Sequence, residues 1–85
     1  MLLCVDIGNT NITLGVYDKE SLVETFRLSS DKDLAQSEYE LLLSTICKPY
    51  NITKCSIGSV VEELSEVIKR ACDNVFCIDS FLSLK

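Results

Sequence analysis

Apolar and polar positions along the chain predict five strands and two helices. Leu2-Leu3-Cys4-Val5 is an apolar run, and such a run suits a strand buried on both faces. Ile12, Leu14 and Val16 alternate with Thr13, Gly15 and Tyr17, the pattern of a half-buried second strand. Asp18-Lys19-Glu20-Ser21 is a polar turn. Leu22, Glu24, Phe26 and Leu28 then alternate with Val23, Thr25 and Arg27, giving a third strand. The period changes after Ser29. Ala35, Tyr39, Leu42, Leu43, Ile46 and Cys47 fall at helical spacing, with Asp33 and Gln36 as a capping pair and Pro49 as a stop near Lys48. Lys54 to Gly58 reads as a fourth strand. Glu62 to about Asp73 reads as a second helix, with Leu64, Val67, Ile68, Ala71 and Cys72 turned inward. Asp73-Asn74 is expected to turn the chain into a fifth strand over Val75-Phe76-Cys77-Ile78. Phe81, Leu82 and Leu84 in the tail look like the start of a further element.

Between the first two strands lies Asp6-Ile7-Gly8-Asn9-Thr10-Asn11, and this bend carries the chemistry. Gly8 can adopt positive φ and lets a ligand approach the main chain closely. Successive backbone N–H groups in such a turn form an anion-binding concavity. Asn9, Thr10 and Asn11 add side-chain donors. Asp6 repels phosphate, but it can hold Mg²⁺, directly or through water, and the metal then bridges to phosphate oxygens. These residues therefore point to a metal-nucleotide site. The same residues also suit an ordinary hairpin turn, with Asn and Gly in their usual roles.

Composition narrows the choice. Eighty-five residues make at most one small domain, and 47% hydrophobic with 25% charged residues is the balance of a globular chain. Thirteen acids against eight bases give a net charge of −5, with no Lys/Arg run, which argues against a nucleic-acid partner. The five cysteines, at 4, 47, 55, 72 and 77, form no C-x-x-C pair, and the chain has no histidine. That disfavours a zinc site and a complete disulfide framework, and it suits small buried thiols in a reducing cytosol. Met1 to Val5 lacks a charged leader and meets Asp6 too soon for a signal peptide. No apolar run approaches membrane-spanning length, so no membrane partner is expected. With a cytoplasmic location, the Asn-x-Thr triplets at Asn11 and Asn51 are expected to stay unglycosylated.

The hexapeptide Asp6 to Asn11 resembles the phosphate motif of type III pantothenate kinases, members of the acetate and sugar kinase, Hsp70 and actin superfamily. Other stretches agree in order and spacing. Phe26-Arg27-Leu28-Ser29-Ser30-Asp31 resembles the family's exit from strand three. Ser37-Glu38-Tyr39, followed by Leu41-Leu42-Leu43, resembles its first helix. Ile57-Gly58-Ser59-Val60-Val61 resembles the end of its fourth strand. The likeness runs along nearly the whole chain. The element order βββαβαβ is that of a ribonuclease-H-like half-domain of the α/β class. Its five-stranded mixed sheet starts as an antiparallel meander, and strands four and five join strand one in parallel across helices.

The resemblance implies transfer of the ATP γ-phosphoryl group to a hydroxyl of pantothenate, the first committed step toward coenzyme A. By that likeness Asp6 holds the metal, and Ile7, Gly8, Asn9, Thr10, Asn11, Ile12 and Thr13 form the phosphate loop. The implied cofactors are ATP, Mg²⁺ and a monovalent cation, K⁺ or NH4⁺. The implied assembly is a homodimer. Family members often carry Lys where Thr13 stands, Pro where Glu62 stands and Thr where Ala35 stands. The family's base is an aspartate in a downstream Gly-Ala-Asp-Arg motif, which this sequence does not contain. Residues 1–85 are thus expected to be the N-terminal phosphate-binding domain, incomplete at its C-terminal end, without the second domain and inactive alone. Superfamily kinases bind nucleotide between two such domains, and half a cleft cannot exclude water or align two substrates.

Other readings stay open. Gly58 and Ser59 are expected beside the loop, as ligand neighbours or as a tight turn. Glu38 and Glu40 suit a solvated helix face, and Arg27 with Asp31 a charge pair at a strand edge. A ribonuclease-H-like nuclease would use Asp6 and Glu38 among several metal-binding carboxylates. A non-catalytic nucleotide-binding or regulatory module, like the family members known as Bvg accessory factors, is the stronger alternative.

Overall fold

A computed structural model describes residues 1–84; Lys85, the end of the tail, lies outside the described residues. The elements are β1 (Leu2–Ile7), β2 (Asn11–Asp18), β3 (Ser21–Ser29), α1 (Gln36–Ile46), β4 (Lys54–Ser59), α2 (Glu62–Phe76) and β5 (Phe81–Leu84). They form one five-stranded sheet in the order β3-β2-β1-β4-β5. β1 pairs antiparallel with β2 and parallel with β4, and β4 pairs parallel with β5. The order βββαβαβ and the mixed sheet are those expected from the pattern.

Alternation decides which face is covered. Leu3, Val5 and Ile7 of β1, Ile12, Leu14 and Val16 of β2, and Cys55 and Ile57 of β4 are all buried. They pack with Tyr39, Leu43 and Cys47 and with Leu64, Ile68, Ala71 and Cys72 from the helical segments. The other face is not covered in this way. Leu2 and Cys4 are half-buried, and Asp6 is exposed. β1 is therefore buried on one face only, which corrects the expectation drawn from its apolar run.

Local hydrogen bonds shift several boundaries. Residue 35, not Asp33, caps α1, and the Glu38 carboxylate accepts the Ala35 N–H at 3.2 Å. The Asp33 N–H instead donates to Asp31 Oδ1 at 2.9 Å, a local side-chain turn. Leu42 lies on the flank of the stripe formed by Tyr39, Leu43 and Cys47, and is exposed. In β3, a register shift beside Val16 and Tyr17 sets Leu22 opposite Tyr17, so Leu22 leaves the face shared by Phe26 and Leu28.

The largest correction concerns the fifth strand. Val75 and Phe76 continue α2 and pack against the core. Cys77 then takes a left-handed conformation, φ 56°, and ends the helix without glycine. Asp73 organises this end. Its carbonyl accepts the Ile78 N–H at 3.2 Å, and its Oδ1 accepts the Ser80 N–H at 2.7 Å. Its Oδ2 takes a 2.8 Å bond from Lys69 Nζ. The turned chain then lays Phe81–Leu84 along Ser56–Ser59 as β5.

Cys47, Cys55 and Cys72 are buried and all five cysteines are free thiols. Burial, with Cys55 nearby, pushes the Cys47 thiol up to about 11. No helix among the described residues is long and apolar enough to cross a membrane.

The Asp73 bonds give a pH-dependent prediction. Burial opposes ionisation of Asp73, but the hydrogen bonds from Lys69 and Ser80 outweigh it and hold its carboxyl below the ordinary 3.8. Its contribution is present above that ordinary value and is lost as pH falls through the lower folded value. Asp73→Asn is expected to cost ~1–2 kcal/mol in urea unfolding at pH 7, the size of charge-assisted bonds at a partly exposed site. The gap between variant and wild type narrows by pH 3. An equal gap at both pH values would remove the charge from this account.

Candidate functional site

β1 ends at Ile7 and β2 begins at Asn11, so Gly8-Asn9-Thr10 is a three-residue connection. The Gly8 N–H donates to the Asn11 carbonyl at 2.9 Å and closes the turn. No glycine of the described residues has positive φ. Position 8 favours glycine for a different reason: a Cβ there would lie 3.1 Å from the Asn11 carbonyl oxygen, a tight contact. Close approach, rather than a left-handed backbone, selects the residue.

The hydrogen bonds of this turn are distributed unevenly between acceptors and donors. The Ile7 carbonyl accepts the Val60 N–H at 3.1 Å. The Gly8 carbonyl accepts the Ser30 hydroxyl at 2.6 Å, and the Thr10 carbonyl accepts the Ser30 N–H at 3.0 Å. With the Asn11 carbonyl held by Gly8, four carbonyls of the turn have protein donors. Among the described residues, the N–H groups of Asn9 and Thr10 donate to no protein acceptor, and both residues are exposed. An anion approaching the turn meets unengaged donors, while four of the turn's carbonyls already accept a protein hydrogen bond. That polarity fits phosphate.

The side chains divide the same way. Asn9, Thr10, Asn11 and Thr13 are exposed. Asn11 Nδ2 donates to Thr10 Oγ1 at 3.2 Å, which orders the two polar side chains together. Ile7 and Ile12 are buried in the core, so only their main chain can face a ligand. Asp6 lies one residue before the end of β1 on the open face. The register sets it beside Thr13 of β2 and Gly58 of β4. The three line a groove of about 290 Å³ with Gly15, Thr25 and Ser56. A carboxylate is a group that can hold a divalent cation, and unengaged N–H groups are ones that can hold phosphate oxygens.

Neighbouring residues have other duties. Ser59 is buried, and its Oγ lies 2.8 Å from Ser65 Oγ and 3.0 Å from the Val61 N–H. This network makes the strand-to-helix turn, so Ser59 serves the fold while Gly58 stays half-exposed in the groove. Glu38 caps α1. Glu40 accepts from Gln36 at 2.8 Å and from Asn74 at 3.2 Å, and these two bonds lower its pKa. Arg27 sits opposite Thr13, on the β3 side of the same row. Among the described residues Arg27 and Asp31 form no ion pair; the Asp31 carboxylate is engaged by Asp33 instead. No three metal-ligating side chains gather among the described residues. Ser30 and Tyr39 lie in two of the family-like stretches, but one hydroxyl in a polar turn and one tyrosine on an apolar stripe carry no spacing signal that ties them to the β1–β2 turn.

Comparison with known proteins follows this geometry. The family model described as type III pantothenate kinase matches residues 2–83. The type III pantothenate kinase of Geobacter sulfurreducens is 41% identical over 75 residues, covering 82% of this chain and 29% of that protein. The one from Citrifermentans bemidjiense is 36% identical over 87 residues, covering 96% of this chain and 34% of that protein. The chain thus spans about a third of the length of these curated relatives. Among solved structures, the ROK hexokinase of Thermus thermophilus superposes with a TM-score of 0.66 at 14% identity, over 98% of this chain and 34% of that one. RuvC of Thermus thermophilus superposes with a TM-score of 0.65 at 11% identity, over 98% of this chain and 60% of that one. At such identities the superpositions show a shared fold alone. The sequence match extends from the first strand to the fifth, and on that ground the chain belongs to the type III pantothenate kinase family.

Proposed function

We propose that the β1–β2 turn binds the phosphates of Mg-ATP, and that the chain is the N-terminal part of an enzyme that transfers the γ-phosphoryl group to pantothenate. The observation that supports this reading is the polarity of the turn. Four of its carbonyls are held by protein donors, whereas the Asn9 and Thr10 N–H groups are not engaged among the described residues.

Each residue has a role in this reading. The Asn9 and Thr10 amides, with the side chains of Asn9, Thr10, Asn11 and Thr13, donate to phosphate oxygens. Gly8 keeps the turn tight, and Ile7 and Ile12 anchor it in the core. Asp6 would hold Mg²⁺, directly or through water, and a cation held there would supply charge compensation at the phosphates. Phosphoryl transfer depends on such positioning and charge compensation, together with a group that orients the attacking hydroxyl. That group, the pantothenate pocket, the second ribonuclease-H-like domain and the K⁺ or NH4⁺ ligands are proposed to lie outside these 85 residues. The complete enzyme is proposed to be a cytoplasmic homodimer, and the 85-residue chain alone is proposed not to turn over.

Two substitutions test the site. Asp6→Asn is expected to leave the amide spectrum of the sheet unchanged. It lowers nucleotide affinity measured with Mg²⁺ to the value measured without it. Equal affinities for variant and wild type in Mg²⁺ would remove Asp6 from metal binding. Gly8→Ala forces a methyl group against the Asn11 carbonyl and is expected to cost about 1 kcal/mol in urea unfolding. It also shifts the Asn9 and Thr10 amide resonances. A variant as stable as wild type with unmoved resonances would show that the close approach does not matter.

A further inference from the structure

Ser30 is the first residue beyond β3, and it reaches back 22 positions to the β1–β2 turn. Its hydroxyl donates to the Gly8 carbonyl at 2.6 Å, at the short end of the range for such bonds. Its N–H donates to the Thr10 carbonyl at 3.0 Å. One residue therefore holds the carbonyls on both sides of Asn9. A buried side chain holds that residue in turn. Tyr39 of α1 is fully buried. Its hydroxyl donates to the Asp31 carbonyl at 2.6 Å and accepts the Asp31 N–H at 3.1 Å. The segment carrying Ser30 is thus fastened to the core next to the point where it grips the turn.

We propose that Ser30 is a positioning residue for the phosphate-binding turn, and that Tyr39 holds Ser30 in place through the backbone of Asp31. The inference rests on the phosphate reading above and adds to it two residues outside the hexapeptide. The physical reason is electrostatic and entropic. A carbonyl without a donor presents its lone pairs to an incoming phosphate and repels it. A carbonyl bonded to Ser30 does so less. A turn fixed at both Gly8 and Thr10 also loses less freedom when an anion binds, so more of the interaction appears as affinity. Ser30 touches no ligand in this account. It acts through the Gly8 and Thr10 carbonyls, and Tyr39 acts through Ser30.

The test uses the 85-residue chain labelled with ¹⁵N, as wild type, Ser30→Ala, Ser30→Thr and Tyr39→Phe. Two quantities are read: amide hydrogen exchange without ligand, and the shift of the Asn9 and Thr10 resonances on titration with Mg-ATP. In Ser30→Ala the Gly8 and residue-30 amides are expected to exchange about fivefold to tenfold faster, the effect of one neutral hydrogen bond. The Val5 and Leu14 amides in the sheet keep their wild-type rates. The apparent Kd for Mg-ATP rises by a similar factor, about fivefold to tenfold. Ser30→Thr, which keeps the hydroxyl, restores both values. Tyr39→Phe, which keeps the ring, speeds exchange at residues 30 and 31 and weakens binding in the same direction.

Wild-type binding that survives unchanged in Ser30→Ala overturns the role of Ser30 and leaves the phosphate reading standing. Faster exchange throughout the sheet overturns it as well, because Ser30 would then be a general stabiliser. A wild-type chain whose turn amides ignore Mg-ATP overturns the phosphate reading and the positioning role together. The exchange rates then report only whether Ser30 fastens the turn.

Discussion

The β1–β2 turn keeps its shape because four of its carbonyls accept hydrogen bonds from three residues, Val60, Ser30 and Gly8. Val60, at the start of the turn into α2, bonds to Ile7. Ser30, beyond β3, bonds to Gly8 and Thr10. Gly8 itself bonds to Asn11. The three-residue bend and the residues that flank it are thereby tied to the chain just beyond the ends of β3 and β4. The same bonds set its chemistry. Four acceptors are taken up by protein donors, and the N–H groups of two exposed residues, Asn9 and Thr10, are not engaged among the described residues.

The rest of the fold explains why the bend lies where these partners can reach it. Parallel pairing of β1 with β4 brings the two strands to the same end of the sheet, so Ile7 and Ser59 are neighbours. Antiparallel pairing of β2 with β3 delivers Ser29, and then Ser30, beside Asn11. Both helices contribute to the core on the face of Leu3, Val5 and Ile7, and Tyr39 lies within that core. The opposite face carries Asp6 in a shallow groove. One face therefore supplies rigidity and the other supplies access. The short β4-to-α2 turn is made by the Ser59, Val61 and Ser65 network rather than by a ligand.

Much of this was legible in the sequence, and the reasons are specific. Ile12, Leu14 and Val16 alternate cleanly because only one face of β2 is covered. The hexapeptide Asp6 to Asn11 combines an acid, a glycine and three polar side chains in a way few turns do. The fifth strand was misplaced because Val75-Phe76-Cys77-Ile78 is as apolar as a strand. What ends α2 is a left-handed Cys77 and the bonds of Asp73, neither of which has a sequence signature as clear as glycine. β1 was read as doubly buried because Leu2 and Cys4 are apolar, whereas burial is set by which face receives the helices. Ser30 and Tyr39 fall in family-like stretches, but their bonds span 22 and eight residues, so no local pattern shows those bonds. The requirement for Gly8 was legible as a requirement, but its cause is the Asn11 carbonyl rather than the backbone angle.

The central claim is that the turn presents its unengaged amides to phosphate. It is tested most directly by a ¹⁵N–¹H spectrum of the chain titrated with Mg²⁺ and triphosphate, beside a second titration with adenosine. The account predicts that the Asn9 and Thr10 amides shift most and saturate with triphosphate, and that adenosine leaves them in place. Shifts confined to other parts of the chain, or turn amides that respond equally to adenosine, would contradict it.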